Sequence, residues 1–374
     1  MNQQRVVIVG AGIVGLAHAW HASKKGHSVT VVDRQPDTRE ATVRNFGMVW
    51  PIGQPPGNPY QVAKRSRDLW LELASEAHFW CNPCGSIHLA HRDDEWQVLQ
   101  EFEAGAVAQG IECKLLTANE VVEKTPAANP QGLLGGLFSP TEMCVNPRRV
   151  PAQLARFLQE RYNVKFHWNS PVVSVASNVI KTAHGLELSF DRCIIASGSE
   201  LNLLFPEVLA KSELRRCKLH MLKTVAQQNQ WRIGPHLASG LTLRHYKSFA
   251  GCPSLPKLID RIEAETPELN QFGIHVMASQ NEDGEVILGD SHEYGNDIQP
   301  FQPTNIDDLI MRELRKILSL PDWTISQRWE GIYAKHPTEL SYIATPVDNV
   351  LIHTGFGGAG MTLSLGITEQ FWLN

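Results

Sequence analysis

Three glycines spaced as Gly10-x-Gly12-x-x-Gly15, with an acidic residue, Asp33, closing the apolar run Ser28-Val29-Thr30-Val31-Val32, are the residues best suited to hold a phosphorylated nucleotide. Gly10 permits a tight turn, Gly12 lets backbone N–H groups approach a pyrophosphate, and Gly15 lets a helix pack closely on the preceding strand. The helix then turns the positive end of its dipole toward the phosphates. Asp33, about 20 residues on, is placed to accept hydrogen bonds from an adenosine ribose. With the buried strand Arg5 to Val9 in front of it, the set predicts strand, glycine turn, helix and strand around a bound ADP moiety.

The elements that must position these residues recur along the chain. A helix from Ile13 to Lys25 ends at Gly26, and a long irregular segment rich in Pro and Gly runs from Thr42 to Pro59 before a helix from about Tyr60 to Ala77. Strand Ser86 to Leu89, a charged helix Asp93 to Gln109, a helix start at Thr117 and a helix Val150 to Arg161 follow. Val172–Val175 and Val179–Thr182 read as a hairpin about Asn178, and Asp191 to Ala196 as a buried parallel strand ending at Gly198. Strand-like alternation from Lys218 to Leu288 is broken by a helix Pro256 to Thr266, and Val350 to His353 is a last buried strand before a glycine-rich loop and terminal helix. Nucleotide-type elements thus stand at the start, middle and end. The 374 residues, 43% hydrophobic, suffice for two domains. The expected class is α/β: a Rossmann-type domain from 1–83, 144–216 and 326–374, with an inserted mixed α+β substrate domain from 84–143 and 217–325.

Composition excludes other classes. A net charge of −5, from 34 basic and 39 acidic residues, leaves no basic stripe for nucleic acid and no polybasic membrane anchor. The run Val6 to Val9 is too short to span a bilayer, so a cytoplasmic location is expected. Seven scattered cysteines do not form a disulfide framework. Cys81-Asn82-Pro83-Cys84 lacks a second ligand pair and reads as a turn, His88 and His91 read as strand-end residues, and no metal is expected. GxSxG, Walker A and HExxH motifs are absent.

The ordered set Gly10/Gly12/Gly15 with Asp33, Val145-Asn146-Pro147-Arg148-Arg149, Ile194-Ile195-Ala196-Ser197-Gly198, Ile287-Leu288-Gly289-Asp290, Arg328-Trp329-Glu330-Gly331 and Gly355-Phe356-Gly357-Gly358-Ala359-Gly360 resembles the FAD-dependent amino-acid and amine oxidases, the family of glycine, sarcosine and D-amino-acid oxidases. It covers nearly the whole chain. The resemblance implies FAD contacts from Gly10, Gly12, Ile13, Val14 and Gly15, from Asp33 and Arg34, and from the loop Arg44, Asn45, Phe46, Gly47 and Met48. It implies further contacts from Val173, Ser197, Gly198 and Gly331, and from Gly355, Gly357, Gly358, Ala359, Gly360, Met361 and Thr362 near the flavin ring. Glycine-loop N–H groups would stabilise the charge that ring gains on reduction. The implied reaction is oxidation of a small primary or secondary amine by hydride transfer to flavin N5, hydrolysis of the imine, and electron transfer to dioxygen or another acceptor.

Two departures from the family bear on substrate. Where sarcosine oxidases carry a carboxylate-binding lysine this chain has Thr362, and where glycine and D-amino-acid oxidases carry an arginine it has Tyr333. Basic and polar candidates remain at Lys335 and His336, and at Arg244, His245, Tyr246 and Lys247, which strand alternation would send to opposite faces in pairs. The stretch Val43 to Pro55 resembles a bacterial subgroup associated with catabolism of 2-aminoethylphosphonate and its N-substituted derivatives. A phosphonate, with up to two negative charges, favours several cationic donors. The expected substrate is therefore a small aminophosphonate; the rivals are a glycine, sarcosine or D-amino-acid oxidase or dehydrogenase, and a flavin-binding protein that oxidises no amine. No linking cysteine lies between Tyr333 and Thr338, so the FAD is expected to be held non-covalently.

Overall fold

The computed structural model describes residues 3–301 and 303–373. Residues 1–2, 302 and 374 of the expected domain segments lie outside the described residues. Strand Arg5–Val9, buried along all but its first residue, lies inside a six-stranded sheet ordered Tyr342–Val347, Val350–Thr354, Arg192–Ile195, Arg5–Val9, Ser28–Val32, Lys165–His167. All neighbours pair in parallel except Tyr342–Val347, which runs antiparallel to Val350–Thr354. Parallel strands in register end at the same edge, so the turns after Val9, Ile195 and Thr354 emerge side by side. That edge is where open α/β sheets bind ligands. Helix Ile13–Lys24 covers one face with helices Asn58–Ala77 and Gly360–Leu373. Gly366 lets the last two helices touch, since a Cβ there would stand 2.5 Å from the Val62 carbonyl oxygen.

A nine-stranded mixed sheet forms the second layer system. Its order is Glu293–Gly295, Arg215–Ala226, Glu285–Gly289, Met277–Gln280, His236–Ala238, Ser86–Ala90, Gly135–Ser139, Lys114–Thr117. Its ninth strand, Ile325–Lys335, pairs antiparallel with Arg215–Ala226 over nearly its whole length. Hydrogen bonding therefore groups 325–335 with the mixed sheet, whereas the expected segment 326–374 assigned most of it to the nucleotide domain. The alternation between Lys218 and Leu288 is likewise discontinuous. Residues 240–271 form short 3-10 turns and the helices Leu255–Glu265 and Pro267–Gln271, so Arg244 to Lys247 are not a strand. The irregular segment after Thr42 is anchored by the two-residue strand Met48–Val49 on Met143–Val145, and the helix beyond it begins at Asn58 because Pro59 suits a first helical turn.

His88 sits in the middle of a fully buried strand, not at its end. Its ring lies 5.4 Å from that of Trp50 and 5.2 Å from that of Phe249, and neither ring nitrogen has a hydrogen-bond partner among the described residues. Burial lowers its pKa from 6.5 to about 3. Between those values the unfolded chain binds a proton that the folded chain refuses, so stability is full above the ordinary value and falls as pH drops. From pH 7 to pH 5 that share is about 2 kcal/mol. Denaturant unfolding at both pH values is expected to show wild type losing about 2 kcal/mol more than His88→Leu; equal losses would contradict a neutral buried imidazole.

Candidate functional site

A cavity of about 680 Å³ runs from the first glycine turn to the end of strand Ile325–Lys335. The three glycines of the first turn play separate roles. Gly10, at φ +111°, donates its N–H to the Val32 carbonyl at 2.8 Å, and a Cβ there would come 2.3 Å from the Ala196 oxygen. Gly15 lies behind the cavity, where a Cβ would strike the Gly10 oxygen at 1.9 Å. Gly12 differs from both. Its φ of −72° suits any residue, and a Cβ would meet only the Thr42 hydroxyl at 3.2 Å, so glycine there keeps cavity space open. Ile13 N–H, at the helix start, donates to Thr42 Oγ1 at 3.0 Å, and both Ile13 and Val14 line the cavity. Asp33 accepts from the Ala11 N–H at 2.7 Å and the Gln35 N–H at 2.8 Å, while burial pushes its pKa up. Arg34 lines the cavity from an ion pair with Glu200 at 3.1 Å.

The loop after Thr42 is fixed by its own polar groups. Arg44 donates to the Arg39 carbonyl at 2.7 Å and the Glu330 carbonyl at 3.2 Å, which staples the loop to strand Ile325–Lys335. Asn45 donates to the carbonyls of Ala41 and Thr42 and accepts from the Gly47 N–H at 2.7 Å. Phe46 and Met48 line the cavity, but Gly47 does not: at φ +75° it packs where a Cβ would lie 2.1 Å from the Val145 oxygen. Val173 also falls outside. The residue is 48% exposed, and strand alternation turns its neighbour Val172 inward instead. Ser197 and Gly198 line the cavity, the latter accepting from Thr354 Oγ1 at 2.7 Å, and Gly331 lines it where a Cβ would crowd Leu219 at 2.8 Å.

The C-terminal loop closes the far end. Gly355 and Gly357 adopt φ of +76° and +61°, and Gly357, Gly358, Ala359, Gly360 and Met361 face the cavity. A Cβ on Gly357 would lie 3.1 Å from Lys335 Cγ, and one on Gly358 3.5 Å from the Tyr333 hydroxyl. Thr362 reaches the cavity, and its hydroxyl accepts the Trp50 N–H at 2.9 Å, which helps hold that loop.

Among the basic candidates, Arg244 is overturned as a ligand. It does not line the cavity, and it donates to the Leu241, Leu269 and Ile274 carbonyls and to Asn270 Oδ1. Burial lowers its pKa to about 10, and these acceptors satisfy a charge kept out of water. His245, Tyr246 and Lys247 do line the cavity, with Lys247 Nζ donating to the Pro337 carbonyl at 3.1 Å. Tyr333 is buried at the wall, and burial raises its pKa well above the ordinary phenol range. Lys335 and His336 follow it there. Lys335 makes no ion pair among the described residues; its Nζ stands 5.5 Å from the Tyr294 ring, and burial lowers its pKa.

Sequence spacing reveals no metal-ligand set, yet the fold gathers His245, His275 and His292 against Asp290 on the cavity wall. Burial lowers the pKa of all three imidazoles, His292 to about 3, and raises that of Asp290. Asp290 stood in the Ile287–Asp290 motif and Thr42 in the segment singled out after Asp33, whereas His275 carries no local signal at all.

A family model for FAD dependent oxidoreductase (DAO) matches residues 5–370. The chain belongs to that family. It is 23% identical to a D-amino acid dehydrogenase of Paramagnetospirillum magneticum, over 97% of this chain and 92% of the relative. Its fold is similar to glycine oxidase from Bacillus cereus, with a TM-score of 0.79, 16% identity and coverage of 99% and 94% of the two chains. It is also similar to L-proline dehydrogenase from P. horikoshii, with a TM-score of 0.76, 20% identity and coverage of 99% and 92%. The FAD dependent oxidoreductase fold therefore extends over the whole described chain, and no helix in it is long and apolar enough to cross a membrane. Because Gly12 is glycine for space and not for backbone angle, Gly12→Leu is expected to fold but to purify without flavin absorbance, with circular dichroism like wild type. Retained yellow colour would show that the turn does not face the cofactor.

Proposed function

We propose that this protein is an FAD-dependent amine oxidase or dehydrogenase whose substrate is a small amine bearing an anionic group, with aminophosphonates such as 2-aminoethylphosphonate or its N-alkyl derivatives as the first candidates. The observation that carries the reading is Lys335. It is a partly buried ammonium without an ion pair among the described residues, beside Tyr333 and the C-terminal glycine loop on the wall of the cavity. An unpaired charge kept from bulk water is costly, and an anionic substrate would offset that cost.

The cavity fits the cofactor that the family requires. Gly12 and Thr42 would border its pyrophosphate, Asp33 its ribose, and the Gly357–Met361 backbone its ring. Bound there, FAD supplies the two-electron acceptor for the C–N oxidation. The chain's own residues do the rest. Lys335 holds the anionic end, Tyr333 and Tyr246 wall the compartment, and the amine need only enter uncharged, so orientation is the protein's main contribution. Amino acids are the second reading, favoured by the likeness to a D-amino acid dehydrogenase; Lys335 would then hold a carboxylate. The protein would carry its flavin non-covalently, since no cysteine among the described residues lines the cavity.

Anaerobic flavin bleaching separates the readings. Aminophosphonates are expected to reduce the flavin with a higher kcat/KM than glycine, sarcosine or D-alanine; a better carboxylate substrate would reject the phosphonate reading and leave amine oxidation standing, and bleaching by none would reject both. Lys335→Met should raise KM more than it lowers kcat, by roughly 10- to 150-fold, because the contact exists in ground and transition states alike. Arg244→Met should instead lower thermal stability. Acid precipitation is expected to release the flavin into the supernatant, and a yellow pellet would mean a covalent link.

A further inference from the structure

We propose that His245, His275 and His292, with Asp290 standing against the last two, form a binding site for a divalent transition-metal cation of the zinc class. The four side chains come from three separate segments and meet on one wall of the cavity. The histidine ligand atoms all lie within 4.8 Å of one another, and ring centroids are 3.9 Å apart for His245 and His275, 4.4 Å for His245 and His292, and 4.9 Å for His275 and His292. Zinc–nitrogen bonds are about 2.0–2.1 Å, so two ligands of a tetrahedral ion stand roughly 3.3–3.4 Å apart. Small side-chain rotations close that difference.

Two of these side chains carry buried polar atoms with no partner among the described residues. His275 is 2% exposed and Asp290 4%, yet both ring nitrogens of His275 and Oδ1 of Asp290 lack a hydrogen-bond partner. His275 Nε2 approaches Asp290 Oδ1 to 3.4 Å without hydrogen-bond geometry, and His292 Nε2 lies 3.8 Å from Asp290 Oδ2. Buried atoms of this kind are almost always paired. The surroundings hold them in place nonetheless. His275 and Asp290 exchange backbone hydrogen bonds at 3.2 and 2.9 Å. His292 Nδ1 lies 3.2 Å from the Gly273 carbonyl, which requires that nitrogen to carry the proton and leaves Nε2 a free lone pair toward the cluster. Three imidazoles suit zinc and its neighbours in the first transition row better than magnesium or calcium. The site shares the cavity with Tyr333 and Lys335 but uses none of the glycine loops, and it does not depend on which amine is oxidised.

The test uses the flavin-loaded protein, stripped of adventitious metal by chelator and dialysed against zinc. Equilibrium dialysis with elemental analysis should find about one zinc per chain. Cobalt substitution should add a ligand-field band at longer wavelength than the oxidised flavin. His275→Ala and the more conservative His292→Gln and Asp290→Asn should each weaken zinc binding by at least about tenfold while retaining the flavin spectrum as a check on folding. His184→Ala, at an exposed histidine, should leave it unchanged. No zinc uptake by wild type, or uptake equally tight in all three cluster variants, would overturn the site.

Discussion

Parallel pairing of three sequence-distant strands is the constraint on which everything else depends. Val9, Ile195 and Ile352 lie across from one another in adjacent strands, though nearly the whole chain separates the first from the last. Because parallel strands share a direction, the glycine turn after Arg5–Val9, the one after Arg192–Ile195 and the glycine loop after Val350–Thr354 leave the sheet at one edge. Each turn alone offers a few backbone N–H groups. Together they line one continuous cavity of about 680 Å³.

Named hydrogen bonds hold the second sheet against the first. Strand Ile325–Lys335 pairs with Arg215–Ala226 and then crosses to the nucleotide layer, where Lys335 bridges to Phe356 and His336 N–H donates to the Gly355 carbonyl at 3.3 Å. Near the middle of the strand, Trp329 Nε1 donates to the Arg44 carbonyl at 3.1 Å, and Arg44 returns a bond to the Glu330 carbonyl. These bonds fix where Tyr333 and Lys335 stand relative to the glycine loop. Their neighbours make the position costly: both side chains are kept partly from water, and the pKa of each is displaced in the direction that disfavours its charged form.

Buried charge is treated in two ways within a few residues' reach of the cavity. Arg244 spends its guanidinium on backbone carbonyls that close the turns around it, which makes it part of the scaffold. Among the described residues Lys335 has no such acceptors, and His275 and Asp290 keep unsatisfied atoms on the cavity wall. On a cavity wall, unpaired polar atoms of this kind are the groups a ligand can satisfy.

The sequence by itself determined the local elements and the family pattern. Glycine spacing, the acidic residue after Val32 and the apolar strands before Gly198 and Gly355 are short-range signals, and each is found where expected. Tertiary structure decided what those signals could not carry. That Arg244 bonds inward depends on carbonyls of Leu269 and Ile274, some 25 and 30 residues away. That Gly47 and Val173 turn from the cavity depends on Val145 and on the register of a hairpin. The histidine cluster joins residues 245, 275 and 292 with no periodicity to mark them. Propensity and spacing are properties of neighbours along the chain, whereas burial, pairing of charge and the lining of a cavity are settled only when distant segments meet.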